Sequence, residues 1–499
     1  MSGSTISERA GATDADLKQR TVTGLLWSAG ANVGQQFLTF TVTAVLARLL
    51  VPADFGLVAT VAVFTGFASL FIDFGLGAAL VQRTTLTERH RSSAFWMNVA
   101  AGLALTVLVA ALAPALARFF DEPRLVDLTL VLSLNFVVAS LGIVQSALLQ
   151  RSMNFRRGGL IEITAILIGG SVAIAMAVAG YGVWSLVAQV IASSAGRTTL
   201  LWATSDWRPH RLVDPDAMRE LWRFSGNLAG FTAVNYWARS ADNFLIGKFV
   251  GAAGLGIYSR AYNLMLLPIT QISTVTARVM FPALSRIQQD TPRVKRAYLR
   301  AIGIIGLLGF PLTAGLFVVA RPFILTLYGS KWTDSITVLQ ILCVAGLMQP
   351  VVVTVGWIYQ SQGRTDWLMR WGLATSALIV SAFAIGIHWG VEGVAVAYAI
   401  IIYALLYPAF AIPGKLIGMR VQEVFLALRA PLFSALTMAA IVWTAGKTFP
   451  AGWPPSAVLF AQFGIGVLSY AVLIHAFALE PYRELKDLVR ERIGGRQTS

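Results

Sequence analysis

The side chains with chemical potential in this chain sit at helical spacing inside apolar stretches. Asn32, Gln35, Gln36, Thr39 and Thr43 recur at i, i+3, i+4, i+7 and i+11, so on a helix they share one face. Asn235, Arg239, Asp242 and Asn243 make a second polar face, and Asn263, Gln271, Thr274 and Arg278 a further stripe. Amides and hydroxyls both donate and accept hydrogen bonds, while guanidinium groups attract anions and can bond them bidentately. A guanidinium at mid-bilayer costs roughly 2.5–3.5 kcal/mol on insertion scales, so it belongs on a bundle interior or a water-filled cavity. These faces point to a hydrated path. Arg239 has Asp242 one turn away, and a structural clamp between them is one reading. A clamped arginine still keeps donors for a ligand. Arg278 has no acidic residue within a turn and is the better unpaired cavity cation, with snorkelling to the cytoplasmic surface as its alternative. Arg260 is expected to snorkel at the outer end of its helix. Asp73 and Glu162 are expected to pair with Arg83 or Arg157 at the lipid interface, with proton or cation coupling as the other use open to them.

Catalytic chemistry does not assemble. Gly75-Leu76-Gly77 resembles the start of a dinucleotide fingerprint, but it follows an apolar helix and not a strand. No phosphate-cradling Gly-x-x-x-x-Gly-Lys-Ser/Thr loop occurs. His90, His210, His388 and His475 are scattered without metal-ligand spacing, and no Ser–His–Asp set is discernible. The single cysteine, Cys343, rules out a disulfide within one chain. We therefore expect no enzyme, no cofactor and no metal.

The elements that carry these faces are membrane spans. Apolar residues make up 56% of the 499 residues and charged residues 13%, too much apolar surface for a water-soluble domain to hide. Fourteen stretches reach the roughly 20 residues a span needs. The expected organisation is a cytoplasmic tail over 1–21, a first six-helix bundle over 22–203, a cytoplasmic linker over 204–221, a second six-helix bundle over 222–413, two additional helices over 424–478 and a cytoplasmic tail over 479–499. Most of the 39 basic residues fall in every second gap, starting with the amino-terminal tail. By the positive-inside rule, both termini are cytoplasmic. The net charge of +15 then reflects topology and anionic lipid heads, and no nucleic acid is expected as a partner. The polar first twenty residues lack a signal-peptide core, so the first span is the targeting signal. Residues 481–493 space Leu485, Leu488, Val489 and Ile493 as a surface helix would. Gly30-x-x-x-Gly34 and Gly226-x-x-x-Gly230 suit close helix packing, and Gln349-Pro350 should kink its span.

The chain also repeats itself. At an offset of 200, the stretch Ala47 to Leu57 falls on Gly247 to Ile257, and Ala29-Gly30 on Ala229-Gly230. Further on the offset drifts: Ala117-Arg118 matches Ala320-Arg321, and Gly182-Val183 matches Gly390-Val391. Gln35 falls on Asn235, Thr39 on Arg239 and Thr43 on Asn243, so the same face is polar in both copies. Six spans per copy is an even number. Both copies thus enter from the same side, as parallel repeats about an axis along the membrane normal.

One family resemblance emerges. Ala238 to Lys248, then Gly251 and Leu255 to Tyr262, followed by Pro268 and Phe281-Pro282-Ala283-Leu284-Ser285-Arg286, resemble the span 7–8 signature of bacterial polysaccharide flippases of the Wzx and colanic-acid-exporter type. Pro52-x-Asp54-Phe55-Gly56, Phe74 to Gln82 and Gly363-Arg364-Thr365-Asp366 match elsewhere, and the resemblance runs from about residue 20 to 420. These proteins belong to the multidrug/oligosaccharidyl-lipid/polysaccharide exporter superfamily. The resemblance implies an all-α integral membrane protein of about 14 transmembrane helices: two parallel six-helix repeats in a V-shaped bundle, with two extra carboxy-terminal helices. It implies a cavity lined by spans 1, 2, 7 and 8, alternating access, and transfer of undecaprenyl-pyrophosphate-linked oligosaccharide from the cytoplasmic to the periplasmic leaflet of the bacterial inner membrane. Arg239 and Arg278 would then attract the pyrophosphate. Asn32, Gln35, Gln36 and Asn235 would contact sugar hydroxyls, with Asp242, Asn243, Asn263 and Gln271 completing the lining. The implied partners are the lipid-linked oligosaccharide, membrane lipids, and a polysaccharide polymerase with chain-length proteins. A drug or metabolite antiporter of the same superfamily, a peptidoglycan-precursor flippase and a membrane assembly scaffold remain as alternatives.

Overall fold

The computed structural model describes residues 14–73, 75–83, 85–211, 214, 236–237, 239–477 and 482, with side chains at 14–26, 28–29, 268–275 and 277–279 outside the description. Asn235, the glycines at 226 and 230, and the 481–493 surface-helix expectation lie outside the described residues, Tyr482 apart. All regular structure among the described residues is helical. The chain divides into two units, Met1–Leu50 with Thr60–Trp237, and Val51–Ala59 with Ala238–Ser499.

The first unit contains α1 (Asp14–Leu49), most of α2 (Pro52–Ser69), α3 (Leu76–Gln82), α4 (Glu88–Phe120), α5 (Leu125–Ser140), α6 (Ile143–Arg151), α7 (Phe155–Val178) and α8 (Val183–Thr204). Local chemistry sets several boundaries. Asp73 accepts the Gly77 N–H at 2.8 Å where α2 gives way to α3, and Gly75 supplies the left-handed turn between them (φ 74°). Asn154 accepts from the Arg157 N–H and caps α7. Arg151 donates to the carbonyls of Leu80, Val81 and Arg83, which satisfies the end of α3.

Helix α1 packs on α7 through small residues. A Cβ on Gly159 would lie 2.7 Å from the Ala31 Cβ, and one on Gly170 2.7 Å from Val42. Ala31, Val42 and Leu46 are buried there. The closest approach does not fall on the Gly30–Gly34 motif: among the described residues a Cβ on Gly30 would meet nothing within 4 Å, and one on Gly34 would meet Ile163 at 3.9 Å. The tight seam runs one residue round the helix, where α7 supplies the glycines.

The segment after α8 is strapped to α4. Trp207 Nε1 donates to Glu88 Oε1 at 2.7 Å, the His210 N–H to Ser92 Oγ at 3.1 Å, and the Asp214 N–H to Ser93 Oγ at 2.9 Å. Trp96 Nε1 returns a bond to the His210 carbonyl at 2.9 Å. Ser92 and Ser93 are fully buried, so these backbone partners satisfy hydroxyls that water does not reach.

The second unit holds α9 (239–249), α10 (Ala252–Arg286), α11 (Thr291–Leu327), α12 (Ser335–Gly346), α13 (Gln349–Val352), α14 (Val355–Ser361), α15 (Thr365–Gly386), α16 (Gly390–Ala404), α17 (Leu406–Ile417), α18 (Val421–Thr448) and α19 (Pro455–Ala476). Gln349-Pro350 does bend its span, by 41° between α12 and the α13–α14 segment. The added pair α18 and α19 docks on α11. Lys295 Nζ bonds Glu423 Oε1 at 2.8 Å, and Tyr470 OH donates to the Leu307 carbonyl at 2.6 Å. Lys295 holds the Glu423 carboxyl below its usual range.

Seven described helical runs are long and apolar enough to cross a membrane, and nine if each bent pair is one span. One of the seven, Thr365–Ile417, holds α15, α16 and α17, and α15 packs on α16 across Gly390 (φ 69°). The remaining spans, α1, α8, α9 and α10, fall short of that test. Three of them carry the polar faces read from the sequence. The chain is an all-α integral membrane protein.

Two details bear on the duplication. Gly56 lies so close to Ala252 that a Cβ would strike its carbonyl oxygen, and a Cβ on Gly256 would strike the carbonyl of Pro52. At the 200-residue offset Gly56 corresponds to Gly256 and Pro52 to Ala252, so the two contacts are reciprocal. Beside them lies Arg260, half-buried. Its guanidinium lies 5.1 Å from the centre of the Phe55 ring, its Nε is buried without a hydrogen-bond partner, and Phe55 and Tyr328 both pack against the buried Trp332. An aromatic face is a favourable partner for a cation.

Candidate functional site

In the first unit the unbroken α1 does place Asn32, Gln35, Gln36, Thr39 and Thr43 on one face. Asn32 and Gln35 line a cavity of about 330 Å³ together with Gln150, Asn154, Glu162 and Arg197. Gln36 is exposed and lines neither cavity described here. A second cavity of about 600 Å³ adjoins the first through Ser146, Gln150, Arg197 and Leu201, and continues to Thr65, Ser69, Asp73 and Asn135.

Arg197 on α8 lines both cavities and pairs with Glu162 on α7, which lines the smaller one. Arg197 Nε lies 2.6 Å from Glu162 Oε1. The expected interface partners are thus replaced. Glu162 takes a guanidinium from the neighbouring helix, and the Asp73 carboxylate takes the Gly77 N–H. Asn135 Oδ1 is buried at the larger cavity with no hydrogen-bond partner. In the sequence Arg197 is one of many basic residues in the cytoplasmic half of the charge alternation. Its partner, 35 positions back, is recognisable only once α7 and α8 are packed.

In the second unit, Asp242 on α9 is buried, at 4% exposure. It does not clamp Arg239. Its Oδ2 accepts from Tyr258 OH at 3.1 Å and its Oδ1 from the Asn243 N–H at 2.7 Å. Arg239 is exposed and makes no ion pair or hydrogen bond with a described residue. Tyr258 stacks on Tyr262 with ring centres 5.8 Å apart, Tyr262 packs on Tyr398, and Gln349 Nε2 donates to Tyr398 OH. The second half therefore contains a polar and aromatic row from α9 to α16 that was not foreseen. Asn263 is exposed, and its Nδ2 donates to the Ser259 carbonyl at 2.7 Å. Gln271 and Arg278 follow on the continuous α10 backbone, but their side chains lie outside the description, as does all of Asn235.

The two units thus present different chemistry. The first offers neutral amides and hydroxyls around a compensated ion pair. The second offers the exposed guanidinium of Arg239 one turn from a carboxylate already occupied. Among the described residues no group of three or more His, Cys, Asp or Glu could hold a metal.

Comparison with known proteins follows the same lines. Residues 45–337 match the family described as "Polysaccharide biosynthesis protein". The lipopolysaccharide biosynthesis protein WzxC of Escherichia coli (strain K12) is 27% identical over 86% of this chain and 88% of its own length. The teichuronic acid biosynthesis protein TuaB of Bacillus subtilis (strain 168) is 30% identical over 65% of this chain and 69% of its own. The succinoglycan biosynthesis transport protein ExoT of Rhizobium meliloti (strain 1021) is 27% identical over 93% and 95%. Among solved structures, the lipid II flippase MurJ in an inward closed conformation superposes with a TM-score of 0.69 at 15% identity, covering 92% of this chain and 99% of MurJ. That likeness establishes a shared fold. With the span 7–8 signature and the match over more than half its length, the chain belongs to the polysaccharide biosynthesis protein family, among its Wzx-like members.

Proposed function

We propose that this protein moves an undecaprenyl-pyrophosphate-linked oligosaccharide from the cytoplasmic to the periplasmic leaflet of the bacterial inner membrane by alternating access. The observation that carries the proposal is the pair of polar faces on α1 and α9–α10, at equivalent positions of a duplicated helical fold within a polysaccharide biosynthesis family. Relatives named for lipopolysaccharide biosynthesis and succinoglycan transport, and a fold shared with a lipid II flippase, support it. The basic gaps support cytoplasmic termini. The protein acts as a transporter without a covalent step. A polymerase and chain-length proteins would receive its cargo.

The residues divide the cargo. Arg239 and Arg278 attract the pyrophosphate; Asn32, Gln35, Gln36 and Asn235 bond sugar hydroxyls; Asn243, Asn263 and Gln271 extend the lining, and Asp242 steadies α9 against α10. The polyprenyl tail stays in lipid. Moving negative charge out of an interior-negative cell is downhill by roughly 2.3 kcal/mol per charge per 100 mV when no counterion travels with it.

The test is accumulation of polyprenyl-linked oligosaccharide in a deletion strain, with and without the gene. Build-up on the cytoplasmic leaflet that the gene clears is the expected result. Unchanged surface polysaccharide without build-up would sink the reading and bring the antiporter forward. Complementation by Arg239→Ala and by Arg278→Ala at normal protein levels should fall at least about tenfold, the size of one lost charge-assisted contact. Full complementation by both would refute the arginine roles.

A further inference from the structure

We infer that the first unit contains, wholly within itself, a saccharide-binding tract centred on the Arg197–Glu162 pair, separate in chemistry from the arginines that take the pyrophosphate. This rests on the cargo proposed above and assigns its sugar to a particular set of side chains.

The geometry comes first. The two cavities, about 600 and 330 Å³, lie side by side and share Ser146, Gln150, Arg197 and Leu201 in their walls. The smaller is lined by Asn154 and Glu162, near the start of α7, where the sequence places the cytoplasmic surface. The larger reaches Thr65 and Asn135, in the interiors of α2 and α5. A cargo arriving from the cytoplasm would meet the tract along its length.

The chemistry excludes an anion. Asp73 and Glu162 bring two negative charges against one from Arg197, so a pyrophosphate would be repelled. A bare metal cation is also a poor fit. Glu162 already holds a guanidinium and Asp73 already accepts a backbone N–H, and no metal-holding cluster occurs among the described residues. What remains suits hydroxyl groups, which donate and accept at once. The closest contact of the ion pair is Arg197 Nε to Glu162 Oε1. A guanidinium carries five N–H donors and a carboxylate about four acceptor sites, so one such pair does not exhaust either group. Asn135 Oδ1, buried and unpartnered, awaits a donor of the kind a sugar hydroxyl supplies. Phe136 and Phe155 add apolar faces for the C–H side of a pyranose ring.

The experiment compares two probes on the purified full-length protein in nanodiscs. One is the lipid-linked oligosaccharide extracted from the deletion strain; the other is undecaprenyl pyrophosphate without sugar. The wild-type protein should hold the first at least about tenfold more tightly, roughly 1.4 kcal/mol. Arg197→Gln, Glu162→Gln and Asn135→Ala should each reduce that ratio toward one while bare-lipid binding persists. Arg239→Ala should weaken both probes alike and leave the ratio standing. An unchanged ratio in the three tract variants, each confirmed as monodisperse and wild-type in helical content, overturns the tract and leaves the flippase reading intact. A loss of bare-lipid binding in those variants overturns it too, since the tract would then be an anion site. If the wild type binds neither probe, the proposed cargo falls and the tract falls with it.

Discussion

A carboxylate surrounded by apolar helices is tolerable only while its oxygens are bonded, and Asp242 shows how little is needed. One phenol and one backbone N–H occupy it. Tyr258→Phe keeps the ring stack on Tyr262 but leaves Oδ2 without its donor. It should cost about 1–3 kcal/mol, read as a lower unfolding temperature in detergent with helical content unchanged. An unaltered midpoint would mean that water replaces the phenol. The same site shows where sequence reasoning stops. Arg239 and Asp242 stand one turn apart, and opposite charges at that spacing invite a clamp. A competitor on α10, sixteen residues further on, wins the carboxylate. Spacing reports which groups can meet, whereas packing decides which do. Glu162 repeats the lesson, since its partner lies on another helix and not among its neighbours in sequence.

At the scale of elements, the polar face of α1, the bend at Pro350 and the all-helical, many-span character were legible, because each follows from helical periodicity, apolar length or a missing N–H. The seam between α1 and α7 was not, because a small-residue motif on one helix does not say which neighbour fills it. The strap from Trp207 to Asp214 was also hidden, since its bonds use backbone groups and buried serines. Two element-scale predictions follow from the contacts seen. Gly256→Val must push α10 off the Pro52 carbonyl and should sharply lower the yield of folded protein, measured by size exclusion in detergent; normal yield would show that the crossing can open without cost. The tie between α11 and α18 depends on pH. Lys295 depresses the Glu423 carboxyl, so its stabilisation is complete above the unfolded value, about 4.3, and is lost as pH falls through the lower folded value. Glu423→Gln should remove that acid-side slope from the unfolding midpoint. Because both groups are partly solvated, the change should be small.

For the whole molecule, composition and charge alternation reveal a many-span helical protein, and the 200-residue offset reveals its duplication. Neither reveals the interior of a bundle. The tract around Arg197 exists only because seven helices of the first unit, α1–α3 and α5–α8, line it. Orientation is directly testable because Cys343 is buried at 2% exposure, which leaves the wild-type protein silent to thiol reagents. In right-side-out spheroplasts an impermeant maleimide should label Ala451→Cys, between α18 and α19. It should label Gln289→Cys, between α10 and α11, only after permeabilisation. The reverse pattern would invert the topology.

The reciprocal contacts of Gly56 and Gly256 carry a consequence for descent. Contacts in which each residue meets its counterpart's neighbour are those a two-fold homodimer makes across its axis. A progenitor with six spans would have met this demand with one glycine, used twice by pairing with itself. Fusion of two such copies would split that single requirement between two codons. Each half now constrains the other's drift: a side chain acquired at either codon strikes backbone inherited by its sister, and no change at the other codon can make room for it.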